Sequence, residues 1–167
     1  MDHCDECGFV YASVSIAEIP NALSAFGPEY QARLSADPVL LRAHPSADVW
    51  SALEYACHVR DVFEVQRARL ALALVEDRPG FTAMGRDERV TRDRYNEQVP
   101  DEVADQLAHA ASTLAADFAD LRSEQWARTG IYNWPTKTER TMTWLARHTI
   151  HEGRHHLRDM DAALARI

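Results

Sequence analysis

The stretch from Trp144 to Asp159 holds His148, His151, Glu152, His155 and His156, so four of the chain's eight histidines fall within nine residues. Two pairs in it, His151 with His155 and Glu152 with His156, have the i,i+4 spacing that places both side chains on one helical face within reach of a common ion. Imidazole nitrogen and carboxylate oxygen suit borderline divalent ions such as Zn²⁺ or Ni²⁺. Spacing alone does not choose between the pairs.

The helical wheel separates them. At about 100° per residue, Met142, Leu145, Thr149, Gly153, Met160, Ala163 and Leu164 define one apolar side, and Glu152 and His156 lie on its flank. His151 and His155 turn instead toward Arg140, Arg147, Arg154 and Arg158, an arc expected to face water or the mouth of a site, because burying those arginines together would be heavily penalised. A carboxylate and an imidazole directed at an apolar core each need a partner, since leaving one unpaired costs roughly 1–3 kcal/mol or more. A metal ion would supply it. A plain hydrogen bond between the two, or to another helix, is the alternative.

A matching residue stands upstream. Between Trp50 and Val62 the inward stripe contains Trp50 and Cys57 and continues through Val65, Ala68 and Leu72, with Glu54, His58 and Asp61 on or beside it. His58 is therefore the third expected ligand, with Glu54 and Asp61 as carboxylates that would orient its ring. Their alternative is pairing with Arg60, Arg67 or Arg69. Two histidines and one carboxylate leave positions open for water or substrate, unlike a closed structural site. His148 and His151 at the rim are candidates for moving protons, against a reading as exposed helix residues without a role. With Asp61 they form the candidate catalytic set. His44 and His109 read as incidental.

Helices must position these groups. Six Gly and seven Pro fall mainly between four long Ala-, Leu-, Arg- and Glu-rich stretches, and no sustained period-2 alternation is present. The first helix is expected from Ile16 to Leu34, with Gly27-Pro28 as a break and Asp37-Pro38 as a stop. The second is expected from Ser46 to Val75, the third from Asp101 to Glu124 and the fourth from Thr138 to Ala165. A polar connection from Pro79 to Pro100 is long enough to be functional or to wrap a site entrance. Gly130 to Pro135 reads as a turn, with Tyr132, Trp134 and Trp144 lining the core or a pocket wall. The fold class is all-α, a four-helix bundle with long connections.

Bulk properties narrow the partners. With 167 residues and 46% apolar content, one core is expected. The division is an N-terminal segment, residues 1–15, and a bundle domain, residues 16–167. A net charge of −8, with no basic cluster, argues against nucleic acid and anionic membranes. Without a bilayer-length apolar run or signal-peptide pattern, the expected location is the cytoplasm. Three cysteines are too few and odd in number for a disulfide framework. Cys57 reads as a small apolar packer. Cys4-Asp-Glu-Cys7-Gly8, beside His3, has the spacing of half a zinc knuckle, and no second Cys-x-x-Cys completes it. Redox-active thiols, metal binding with help from another chain, and a local turn or disordered end all remain open.

The two histidine-bearing segments resemble the DinB/YfiT-like superfamily of four-helix metalloproteins, which includes the mycothiol-dependent maleylpyruvate isomerase. The resemblance covers essentially the whole chain. Members carry one histidine on the second helix and a His-x-x-x-His or Glu-x-x-x-His pair on the last, matched here by His58 and by Glu152 with His156. Many relatives have histidine where this chain has Glu152, and the isomerase branch is similar in using glutamate. The resemblance implies an up-down-down-up bundle, frequent homodimers, and metal-assisted activation of a low-molecular-weight thiol of the mycothiol type, for S-transfer or isomerisation of a small-molecule substrate. A bound Zn²⁺-type ion lowers a thiol's pKa toward neutrality. The alternative is a non-catalytic, stress-related or interaction module that keeps its metal for stability.

Overall fold

The structure, a computed structural model, describes residues 3–133 and 136–166. Trp134, expected to line the core or a pocket wall, lies outside the described residues, as does Pro135.

The first predicted helix exists in pieces. A 3-10 turn at Ile16–Glu18 opens with a capping box between Ser15 and Glu18. It leads into α1, Ile19–Ser24, and α2, Phe26–Leu34. The break falls at Ala25, where Pro28 has no N–H to return to the Ser24 carbonyl. Asp37-Pro38 ends this run and also starts a short α3, Pro38–Arg42, because the Asp37 carboxylate accepts from the Val39 N–H at 2.7 Å and Pro38 occupies the first turn.

The long second helix, α4, spans Ala52–Val75 and begins later than Ser46. Its start is set by Ser51: the Glu54 N–H donates to the Ser51 hydroxyl at 3.2 Å, and the Ser51 N–H donates to Glu54 Oε2 at 2.8 Å. The polar connection beyond it is structured. It holds α5, Arg86–Arg92, and a 3-10 turn at Tyr95–Glu97 whose Tyr95 is fully buried. The third bundle helix, α6, spans Pro100–Ala119 and stops short of Glu124.

An antiparallel hairpin, β1, Thr129–Tyr132, and β2, Thr138–Thr141, precedes the last helix, with Thr129 opposite Thr141 and Tyr132 opposite Thr138. The sequence pattern predicts no strand here, and four residues are too few to show an alternation above background. The last helix, α7, Met142–Leu164, accordingly starts at its Thr141 cap rather than at Thr138; the Trp144 N–H donates to the Thr141 hydroxyl at 3.1 Å.

In the bundle α4 packs on α6 and α7, α6 packs on α1 and α2, and α1 closes on α7. Phe26, Tyr30, Leu53, Phe63, Leu107, Phe118, Leu145 and Ile150 are buried between them. Gly153 permits the closest approach, since a Cβ there would lie 2.5 Å from the Phe26 ring, and the Tyr30 hydroxyl donates to the Gly153 carbonyl at 2.9 Å.

The N-terminal segment lies along α7. Phe9, Tyr11 and Val14 are buried in the same core as the bundle. Arg147 donates to the Val14 carbonyl at 2.9 Å, Arg158 to the Glu6 carbonyl at 3.3 Å, and the Arg154 guanidinium sits 5.6 Å from the Phe9 ring centre. The arginine arc expected to meet water thus holds down another piece of chain, and His151 beneath it is only 8% exposed. No helix among the described residues is long and apolar enough to cross a membrane.

Candidate metal centre

Two helices supply the inner group. His58 projects from the middle of α4, and Glu152 and His156 from successive turns of α7. One donor atom from each lies within 4.8 Å of the others. The His58 and His156 rings meet edge to face at 4.8 Å, and His156 Nε2 is 3.7 Å from Glu152 Oε2. His58 is 2% exposed, and neither of its ring nitrogens has a hydrogen-bond partner among the described residues. Such a group is expensive unless something binds it. Trp50 packs edge-on against His58 at 5.3 Å, and Tyr55 stacks on His156 at 5.6 Å, which fixes both rings.

The charges are divided unevenly. Burial, reinforced by the neighbouring His156, holds the His58 pKa down to about 3, so its ring is neutral, with one nitrogen lone pair available to a ligand. Burial also opposes protonation of His156, but the hydrogen bond to Asp159 and the neighbouring Glu152 carboxylate outweigh it and push its pKa up to about 9. Glu152 stays well below the usual carboxylate range because, against burial, His151 and His156 favour its anion. The His156 Nδ1 contact with Asp159 Oδ2 at 2.8 Å turns Nε2 toward Glu152 and His58. This is the usual way a carboxylate orients a ligating imidazole. A divalent cation among the three groups would replace the His156 proton and satisfy the orphaned His58 nitrogen. The donor set fits such an ion.

The expected catalytic residues scatter around this group. His148 Nδ1 is 2.8 Å from the Tyr11 hydroxyl, its ring stacks on Trp144 at 4.6 Å, and its Nε2 is 3.8 Å from Glu152 Oε1. Burial holds its pKa down to about 4, leaving it neutral. His151 Nδ1 approaches Glu152 Oε1 at 3.1 Å, outside hydrogen-bonding geometry, and its ring packs against Phe9 and Tyr11. It is not a rim residue in water. Asp61 is turned to other work: Arg60 binds one oxygen at 2.8 Å, and Arg89 and the Tyr95 hydroxyl bind the other at 2.8 and 2.6 Å. Of the two roles expected for Asp61, pairing with arginine is the one seen. Glu54 is engaged as the α4 cap.

Sequence reasoning missed Asp159, although its i+3 position after His156 was a usable signal. Tyr11 and Tyr55 were also missed, and nothing in the linear pattern marks them. A surface cavity of about 470 Å³ lies between the N-terminal segment and α7 against Cys7, Phe9, Val10, Arg154 and Arg158, and is not lined by His58, Glu152 or His156.

The fold and the site together define a four-helix bundle protein with a His, Glu, His group of metal-ligand type at its core. Residues 29–160 match the model of the DinB superfamily, and the chain belongs to that family. No curated protein matches at a significant level. Among solved structures, the chain is similar to YfiT from Bacillus subtilis, described as a probable metal-dependent hydrolase with an unusual four-helix bundle topology. That likeness has a TM-score of 0.84 at 15% identity and covers 92% of this chain and 89% of the other. It is also similar to a mycothiol-dependent maleylpyruvate isomerase, with a TM-score of 0.72 at 13% identity over 91% of this chain. The chain spans 63% of the isomerase's length.

Proposed function

We propose that His58, Glu152 and His156 hold one divalent ion, Zn²⁺ or Ni²⁺, with coordination positions left open, and that the protein is a metal-dependent enzyme acting on a small substrate with a low-molecular-weight thiol of the mycothiol type. The observation that carries this is the buried, unpartnered His58 imidazole facing a carboxylate and a second imidazole. The isomerase neighbour supports a thiol cosubstrate and the YfiT neighbour a metal-dependent reaction, so S-transfer or isomerisation is the leading reaction class.

When bound, the ion supplies Lewis acidity, which lowers the pKa of a coordinated thiol or water. The chain's own residues do the rest. Asp159 orients His156, and the Trp50 and Tyr55 rings keep His58 and His156 in place. His148, neutral at pH 7 and lying between the Tyr11 hydroxyl and Glu152, can accept a proton and pass it along that line.

His58→Ala is expected to lose the ion from this group and all metal-dependent turnover, measured by elemental analysis and a thiol-consumption assay. Undiminished metal content at this group would overturn the assignment. A non-catalytic module is favoured by one observation, that the cavity of about 470 Å³ beside the N-terminal segment is not lined by the three ligands. Thiol-dependent turnover by the metal-loaded protein excludes that reading; intact metal without turnover of any thiol or ester substrate supports it.

A further inference from the structure

The outer pair on α7 has a partner of its own. Cys4 and Cys7 sit in a tight turn in which the Gly8 N–H donates to the Cys4 carbonyl at 2.8 Å and the Cys4 N–H donates to the Phe9 carbonyl at 2.9 Å. His3 and Val10 form an antiparallel bridge across it. Gly8 adopts φ +73°, a left-handed conformation that glycine takes without strain, and this lets the chain fold back around the sulfurs.

Phe9 and Tyr11 press this turn onto α7, directly over His151 and His155. Cys4 Sγ lies 3.8 Å from His155 Nδ1. One atom from each of Cys4, Cys7, His151 and His155 lies within 4.8 Å of the others. In a tetrahedral zinc site, with Zn–S about 2.3 Å and Zn–N about 2.0–2.1 Å, ligand atoms stand roughly 3.3–3.8 Å apart. A contraction of at most about 1.0–1.5 Å between ligand atoms therefore closes the set. His151 is 8% exposed, and neither ring nitrogen makes a hydrogen bond among the described residues. The far nitrogen of His155 is 3.3 Å from Glu6 Oε2 and 3.6 Å from Asp159 Oδ2, carboxylates placed to orient the ring.

We propose that Cys4, Cys7, His151 and His155 form a second, closed Cys2His2 zinc site that clamps the N-terminal segment to α7. Zn²⁺ binds two thiolates and two neutral imidazoles, the two thiol protons pass to solvent, and the completed site carries no net charge. With four protein ligands it has no position for substrate. Its influence on the inner group runs through His151, which the clamp would hold 3.1 Å from Glu152. The site stands on residues separate from His58 and does not depend on that group binding metal.

The test uses the full chain loaded with Zn²⁺ or Co²⁺ and freed of unbound ion by gel filtration. Co²⁺-loaded protein is expected to show the thiolate-to-cobalt charge-transfer band. The Cys4→Ser, Cys7→Ser double variant is expected to lose that band and one equivalent of metal, and His58→Ala to keep the band. Zn²⁺ is also expected to shield Cys4 and Cys7 of the unmodified protein from alkylation, with a strong chelator restoring their reaction, a readout that needs no variant to fold. Absence of the charge-transfer band from the Co²⁺-loaded protein, or equal alkylation rates of Cys4 and Cys7 with and without Zn²⁺, would overturn the proposal.

Discussion

Glu152 with His156 and His151 with His155 are two i,i+4 pairs on one helix, offset by a single residue, yet they meet different surroundings. The inner pair faces one histidine from α4, His58, with the aromatic rings of Trp50 and Tyr55 beside it. The outer pair faces a turn carrying two thiols. A step of about 100° along α7 thus separates a three-donor group from a four-donor one. The pairs themselves do not decide which is open. The element packed opposite each pair does. Asp159 Oδ2 touches His156 at 2.8 Å and His155 at 3.6 Å, and Glu152 also reaches both pairs, with one oxygen 3.1 Å from His151 and the other 3.7 Å from His156.

That shared position gives the largest expected effect. Glu152→Ala removes a ligand from the inner group and leaves His58 and His156 as a two-donor remnant, so metal there should be lost outright. The thiolate-dependent site should persist with a lower affinity, and isothermal titration with Zn²⁺ should resolve one binding event in place of two. Equal losses at both sites would break the distinction. Asp159→Asn should act next most strongly, because it removes the carboxylate that orients His156. Changes of this kind cost about 10–100-fold in metal affinity, and competition against a chelator of known affinity measures it.

Gly153→Ala disturbs the packing of α7 and leaves both donor pairs in place. A methyl group there meets the Phe26 ring, so the interface of α7 with α1 and α2 must open, at about 1–3 kcal/mol. The better helix propensity of alanine offsets roughly 1 kcal/mol of that. A lower melting temperature with metal stoichiometry unchanged is expected, because both donor pairs lie on other faces of the helix.

Acid should expose the buried imidazoles. His58 and His148 are held down to about 3 and about 4 from an ordinary 6.5, so between those limits the unfolded chain binds protons that the native state refuses. Stability is therefore fully present above about pH 6.5 and falls as pH drops toward the folded values. His156 runs the other way: its raised pKa supports the native state below its ordinary value and that support is lost as pH rises through about 9. Melting temperatures of the metal-free protein across pH 4 to 10 should form a dome, and His148→Gln should flatten its acid side. The smallest effect is at Cys57, whose thiol burial pushes up to about 12. In the native protein it should stay unalkylated while metal-free Cys4 and Cys7 react.

The wheel assigned Glu152 and His156 to the core side of α7, and the α4 pattern assigned His58 to its inward stripe, because long amphipathic helices carry burial in their own periodicity. The same wheel sent His151 and His155 toward water. That expectation failed because the covering element, the turn at Cys4–Gly8, lies more than 140 residues away and its apolar residues, Phe9, Tyr11 and Val14, are too few to announce a docking face. Asp61 was attached to His58 on proximity along α4, where Arg60, Arg89 and Tyr95 compete for it with charge and hydrogen bonds. The late starts of α4 and α7 depend on single capping residues, Ser51 and Thr141, among several serines and threonines that could have served, and the strands of the β1–β2 hairpin are too short to show a period.

Crystals of the Zn²⁺-loaded full chain, with diffraction recorded on either side of the zinc absorption edge, decide whether His58, Glu152 and His156 hold an ion. An anomalous peak is expected among the His58, Glu152 and His156 side chains, with fewer protein ligands than a filled coordination sphere. A fully loaded crystal with no peak there, and His58 hydrogen-bonded to ordered water or protein instead, would contradict the assignment.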